Sequence, residues 1–307
     1  MCEISLIEKS IIKTLAYHDI FDYPLMLEEI FLCLDTNGIT KDNLHSALDA
    51  LLKKNIVYKK NDYFLLNPDY IRINKRVEGN KRAKKKMKIA KRFSKIISFF
   101  PYVRAVFLSG SISKGFMDKK ADIDYFIITK KNRLWIARFL LVLFKKIFLL
   151  NSYKFFCINY FISEDNLEIE EKNIYTATEL VTLIPTYGSN LYNEFYKAND
   201  WLKTYYPNYP KRDIINVSHS KMRLTHKIIE PFLNNNFGEK LDDQCMQMFL
   251  RFDRKRYGEL EKETFELAFK SRKNVSKHHP QYYQKKVLEK LNHKIQKLEI
   301  QHNIALN

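Results

Sequence analysis

The chain is predicted to be an α+β protein. A small mixed sheet with helices forms its centre, an N-terminal helical unit with a β-hairpin precedes it, and a helical bundle follows. Three observations predict this. Two apolar runs of strand length, Val106-Phe107-Leu108 and Tyr125-Phe126-Ile127-Ile128, lie on either side of a Ser109-Gly110-Ser111 turn. Residues 5 to 66 show helical apolar spacing and then a short two-strand pattern. From Thr176 onward the spacing reads as helical to the end.

A length of 307 residues fits two or three domains, and 22 Phe with 19 Tyr can fill sizeable cores. The expected divisions are 1–70, a basic connecting helix over 71–100, a core over 101–175 and a helical domain over 176–307. In the first unit Leu6, Ile7, Ile11, Ile12 and Leu15 have helical spacing, and Pro24 suits the start of a second helix through Ile30, Phe31 and Leu34. Asn37-Gly38 breaks that helix, and Thr40 opens a third with Leu44, Leu48, Leu51 and Leu52 on one face. Ile56-Val57-Tyr58 and Tyr63-Phe64-Leu65 then read as strands around an Asn61-Asp62 turn. Three helices and a hairpin resemble a winged helix, with the third helix in the recognition position. That helix offers Lys41, Asn43, His45, Ser46 and Asp49 outward, a mixed set rather than a basic one.

The formal net charge is +18, and Arg72 to Lys95 holds twelve Lys or Arg against one Glu. Such a block attracts phosphates, so weak, nonspecific, salt-sensitive nucleic acid binding is expected from it, with a solvated helix face as the alternative. A helix from about 75 to 99, ended by Pro101, carries most of the block. Leu134 to Leu150 is strongly apolar, but it is short for a bilayer and contains Arg138, Lys145 and Lys146, so a buried helix is expected and no membrane span. Cys2, Cys33, Cys157 and Cys245 lie far apart with no CxxC pair, which argues against a zinc knuckle or disulfide framework. The start, MCEISLIEKS, lacks the pattern of a signal peptide, and a cytoplasmic protein is expected.

The chemistry concentrates in VFLSGSISKGFMDKKADIDYFIIT. Residues two apart in a strand share a face, so Asp122 and Asp124 present two carboxylates together while Ile123 packs behind them. Paired hard oxygen ligands suit Mg²⁺ completed by substrate phosphates and water. Gly110 permits close backbone approach, Ser111 adds a hydroxyl, and the turn feeds a helix-capable segment that favours a phosphate.

Gly-Ser, ten residues, then Asp-Ile-Asp resembles the signature of the DNA polymerase β-like nucleotidyltransferase superfamily, in its small-molecule and minimal branches, over about residues 101 to 130. The resemblance implies a nucleotidyltransferase core with Mg²⁺, or Mn²⁺ in its place. It also implies transfer of an NMP from an NTP such as ATP to a small-molecule or protein acceptor. Asp122 and Asp124 would hold the metal, Gly110 and Ser111 the β/γ-phosphates, and Lys114 a further phosphate oxygen.

Relatives of this kind supply a third carboxylate from a later strand. In KFFCINYFI (Lys154 to Ile162) the strongly polar residue at that place is Asn159, which can offer an oxygen to a metal but cannot take a proton at neutral pH. Glu164, Asp165 or Glu179 could supply the base, the acceptor could arrive already ionised, or the chain could bind nucleotide without turnover. The reading from another class is a nucleotide-sensing or DNA-binding regulator with a catalytically weak core. Arg133 and Arg138 are candidate triphosphate contacts, with Trp135 beside them, and Tyr187 is a candidate for stacking on a base. Lys277, His278 and His279 lie in KNVSKHHPQYY, expected to be a surface loop.

Overall fold

Two side chains start the N-terminal unit's main helices. Ser5 accepts from the Glu8 N–H at 3.2 Å while Glu8 returns a bond to the Ser5 N–H, and Thr40 and Asn43 form the same reciprocal box. The computed structural model describes residues 3–152, 154–220, 224–259, 265, 269–278 and 283–306. Cys2 and His279, singled out above, lie outside the described residues.

Helix α1 (Leu6–Asp19), β1 (Leu25–Met26), α2 (Leu27–Cys33), α3 (Lys41–Lys53), β2 (Tyr58–Lys60) and β3 (Tyr63–Leu65) follow in order, and the strands form an antiparallel sheet ordered β1-β3-β2. Ile11, Ile12 and Leu15 of α1 bury against Leu44, Leu48 and Leu51 of α3. The same cluster takes in Val287, Leu291 and Leu298 from the last helix, Tyr283–His302. The core begun by the first 66 residues is therefore closed by the other end of the chain.

Helix α4 (Ile71–Ile97) runs from this unit into the centre. Arg76, at its start, is fully buried: it donates to the Pro24 carbonyl and to Glu29 Oε1 (2.6 Å) and lies over the Tyr23 and Tyr63 rings. Six strands follow in the main sheet: β4 (Val103–Ser109), β5 (Asp124–Thr129), β6 (Cys157–Ser163), β7 (Ile184–Tyr187), β8 (Ser271–Arg272) and β9 (Val275–Lys277), in spatial order β7-β4-β5-β6-β9-β8. The one-turn α5 (Gly110–Ser113) lies between β4 and β5; β5 and β6 are parallel, which requires a crossover, and α6 (Leu134–Phe148) provides it. The other pairings are antiparallel.

Alternation along the strands sorts the two faces. Val106, Leu108, Tyr125, Ile127 and Phe161 pack against α4 and α6. Phe107, Phe126, Ile128 and Ile162 pack against α7 (Ile174–Val181) and α8 (Ser189–Ala198). Helices α9 (Leu202–Tyr205), α10 (Leu224–Leu233), α11 (Asn236–Tyr257) and α12 (Tyr283–His302) complete the described elements. Among the described residues no helix is long and apolar enough to cross a membrane.

The sequence misplaces one region. The stretch after Thr176 is not helical throughout, because β7 extends the sheet beside β4, and β8 and β9 extend it beside β6. These strands are two to four residues long, and Pro185 fits only because β7 is an edge strand. Their pattern is too short to show a period. Val275 to Lys277, expected in a surface loop, are buried in β9.

Candidate active site

The ends of β4 and β5 meet at the site, with Ser109 paired to Asp124. Gly110 follows with φ +66°, and a Cβ there would overlap Asp124 Oδ2. Only glycine lets the turn lie against that carboxylate, so Gly110 is required by both conformation and contact. The parity that turns Phe126 and Ile128 toward α7 turns Asp124 the same way. Asp122 precedes the strand by two residues, and its charge acts on Asp124. Asp122 also lies within electrostatic reach of Lys86 and the buried Lys145.

Burial pushes the Asp124 carboxyl up to about 7; a hydrogen bond with Cys157 opposes this, Glu179 and Asp122 add to it, and Lys114 draws it back. Asn159 Nδ2 stands 3.5 Å from Asp124 Oδ1 and 2.9 Å from Cys157 Sγ. Asn159 thus sits beside the acid pair. Lys114 Nζ bonds Glu179 Oε1 at 2.8 Å and the Gly110 carbonyl at 3.0 Å, which holds α7 against the turn. The helix opened by the turn is a single turn, so any phosphate held there depends on Gly110, the Ser111 hydroxyl and Lys114 more than on a helix dipole.

Two candidate bases are excluded by strand direction. Because β5 and β6 run parallel, Asp124 neighbours Cys157 at one end and Thr129 neighbours Ser163 at the other. Glu164 and Asp165 lie past that far end, about 15–20 Å along the strand from Asn159. There Glu164 accepts from the Lys131 N–H, and Asp165 meets Ser163 Oγ and Lys131. Glu179 is the alternative that reaches the cleft.

The site opens into a cleft of about 1590 Å³. Gly110, Ser111, Lys114, Asp122, Asp124, Asn159 and Glu179 all line it, as do Tyr17, His18, Tyr23 and Glu29 of the N-terminal unit and Tyr283 of α12. No local sequence pattern marks these outer walls. Arg138 and His278 also face the cleft; Arg138 meets Ser276, and His278 Nδ1 lies 3.5 Å from Asp253 Oδ1. Arg133 does not: it bonds the carbonyls of Asn132, Leu233 and Asn235. Trp135 is buried and donates to the Arg272 carbonyl, while Tyr187 is buried in β7, out of reach of a base.

Two carboxylates converge here, and among the described residues no group of three or more His, Cys, Asp or Glu is placed to hold a metal. Two hard carboxylates, one with its proton affinity raised chiefly by burial, fit a divalent ion whose remaining ligands come from phosphates and water.

Residues 86–208 match the family model described as "Nucleotidyltransferase domain". No curated protein and no solved structure gives a significant match. The matched stretch runs from the middle of α4 through α9 and contains the turn, the acid pair, Asn159 and Glu179. The chain is an enzyme that transfers nucleotidyl groups.

Proposed function

We propose that this nucleotidyl-transferring enzyme moves an NMP from an NTP to a hydroxyl-bearing small-molecule or protein acceptor, with Mg²⁺ held by Asp122 and Asp124. One observation carries the reading: the Asp124 carboxylate lies on Gly110, and Asp124 and Asp122 line one cleft large enough for a nucleotide and a second substrate. Gly110 and Ser111 face the β/γ-phosphates, and Lys114 neutralises one of their oxygens by exchanging its Glu179 partner for phosphate. When bound, the ion neutralises charge on the transferring phosphoryl group and the leaving pyrophosphate.

Release of Lys114 leaves Glu179 with an unpaired carboxylate on the cleft wall, free to take the acceptor hydroxyl proton that Asn159 cannot accept. The acceptor oxygen bonds to the α-phosphorus, the bond to the bridging oxygen breaks, and pyrophosphate departs. Asn159 orients the Asp124 carboxylate through its amide.

We read the N-terminal unit as a winged helix serving as a wall of the cleft. Its three helices and its sheet order β1-β3-β2 support this, as do Tyr17, His18 and Glu29 in the lining. The outward face of α3 carries Asp42 and Asp49 beside Lys41 and Lys53, a poor match to DNA phosphates, which disfavours the regulator reading.

The test is pyrophosphate release with Mg²⁺, each labelled NTP and a broad acceptor mixture. Turnover is expected. Glu179→Gln should lower it roughly 10²–10⁴-fold while leaving nucleotide binding in place. Nucleotide binding without turnover under every NTP would favour the regulator.

A further inference from the structure

The structure divides the basic block of α4 into two parts. Arg72 pairs with Asp19 (2.7 Å), Lys75 with Asp22 (3.0 Å), Arg76 with Glu29 (2.6 Å) and Arg82 with Glu78 (3.2 Å). These four cations hold the helix to the N-terminal unit and to itself. Beyond them, every exposed residue from Lys81 to Lys95 is basic: Lys81, Lys84, Lys85, Lys88, Lys91, Arg92 and Lys95. Steps of three and four place all seven on one side of the helix, and Ala83, Ala90, Ser94 and Ile97 bury the other. None of the seven forms an ion pair with a described residue, and no Asp or Glu occurs in the sequence between Glu78 and Asp118.

The stripe leads to the acid pair. Lys86, between Lys85 and Lys88, donates to the Ala121 carbonyl at 3.4 Å, one residue before Asp122. Its Nζ and that of Lys154 lie 5.8 and 5.4 Å from the centre of the Phe155 ring, which stacks on Phe93 of α4 at 6.2 Å. Lys119 and Lys120, both exposed, continue the positive charge on the loop before Asp122.

We infer that this face of α4 binds a single strand of nucleic acid, laid along the helix with one end toward the Asp122 side of the cleft. From Lys81 to Lys95 the helix rises about 21 Å. A strand with one phosphate per roughly 3.4 Å sets about six phosphates against seven cations. The partly buried Phe155, flanked by two lysines, is the kind of aromatic surface on which an unpaired base stacks. A membrane-binding face would instead set apolar side chains among the cations, and between Lys81 and Lys95 no exposed residue is apolar.

The test uses the full chain without NTP, so its outcome is independent of the transfer reading. Fluorescence anisotropy of a labelled 20-nucleotide oligothymidylate is recorded from 50 to 300 mM salt, in steps that define the slope of log affinity. A slope of about −4 to −5 is expected if all seven cations engage. The triple variant Lys84→Glu, Lys88→Glu, Lys91→Glu should bind at least tenfold more weakly at 100 mM salt, with the slope flatter by about 2. Lys286→Glu, Lys290→Glu, Lys297→Glu on α12 makes the same change of net charge at exposed sites and should bind like the native chain. Equal loss in both triples would reduce the effect to net charge and overturn the site. So would no oligonucleotide binding at 50 mM salt, or binding to phosphatidylserine vesicles in its place.

Discussion

Asp124 at the head of β5 and Asp242 on α11 are both acids that burial lifts well above the ordinary carboxylate range, to about 7 and about 6. Their surroundings differ. Asp242 Oδ1 accepts the backbone N–H groups of Trp135 and Ile136, each at 2.9 Å, and so caps the first turn of α6 from another helix. Lys273 stands 3.6 Å from its other oxygen. Asp124 has a 3.5 Å approach from Asn159, a hydrogen bond with Cys157 and the charge of Lys114, while burial, Glu179 and Asp122 act against its ionised form. One buried charge closes a helix end that would otherwise be open. The other raises the free energy of the folded chain with little return inside the fold, which is the arrangement expected where an external cation completes the site.

The largest effect that tests this contrast is at Asp124. Asp124→Asn should lower turnover by about 10³-fold or more, because the ion then loses a charged ligand. The fold should not suffer. An acid raised in the folded state binds more protons folded than unfolded between about pH 4 and 7, so without metal its contribution to stability falls as pH rises through that window. The Asn variant lacks this loss, and its melting temperature at pH 7.5 should match or exceed that of the native chain. Added Mg²⁺ should raise the native melting temperature and leave the variant unmoved. A Mg²⁺ shift of equal size in both proteins would remove Asp124 from the metal site.

Gly110→Ala comes next. The new methyl meets Asp124 Oδ2, and the positive φ costs a further ~1–2 kcal/mol in any residue with a Cβ. Turnover should fall roughly 10²-fold through displacement of the carboxylate, with a stability loss of about the conformational term alone, read by urea unfolding. Unchanged turnover would mean that the turn does not position Asp124.

The contrast also separates what the sequence displays from what it hides. Gly110, Ser111, Asp122 and Asp124 stand out as a local pattern, a turn followed by an acid pair, and Asn159 as the strongly polar residue of its strand; plain alternation groups Asn159 with Phe161 on the other face, and the irregularity in β6 between Ile158 and Tyr160 brings it to Asp124 instead. Glu164 and Asp165 looked equally near in sequence, but the parallel pairing of β5 and β6 carries them to the opposite end of the sheet. Arg133 looked like a phosphate ligand because the carbonyls that occupy it come from Leu233 and Asn235, a hundred residues on. The same distance hides Asp242, whose partners Trp135 and Ile136 precede it by more than a hundred positions. The inner face of the cleft was readable, and the walls supplied by α1, α2 and α12 were not, since no local pattern marks Tyr17 or Tyr283 as lining the same cleft as Asp124.

The smallest effect expected is at the cap, and it separates charge from hydrogen bonding. Asp242→Asn keeps an oxygen for the Trp135 and Ile136 N–H groups and removes the ionisation. Asp242→Ala removes both and leaves two buried donors at the start of α6 without their acceptor, a loss of about 1–2 kcal/mol. Because burial raises the Asp242 carboxyl, the native chain binds the extra proton when folded below about pH 6, and its advantage over the Asn variant should shrink as pH rises from about 4 to 6 and level off above. Urea unfolding of the three proteins at pH 4.5, 6 and 8 measures this directly. If the Asn variant is as weak as Ala at pH 8, the charge itself holds α6, and the difference drawn between Asp242 and Asp124 reduces to which cation each one faces.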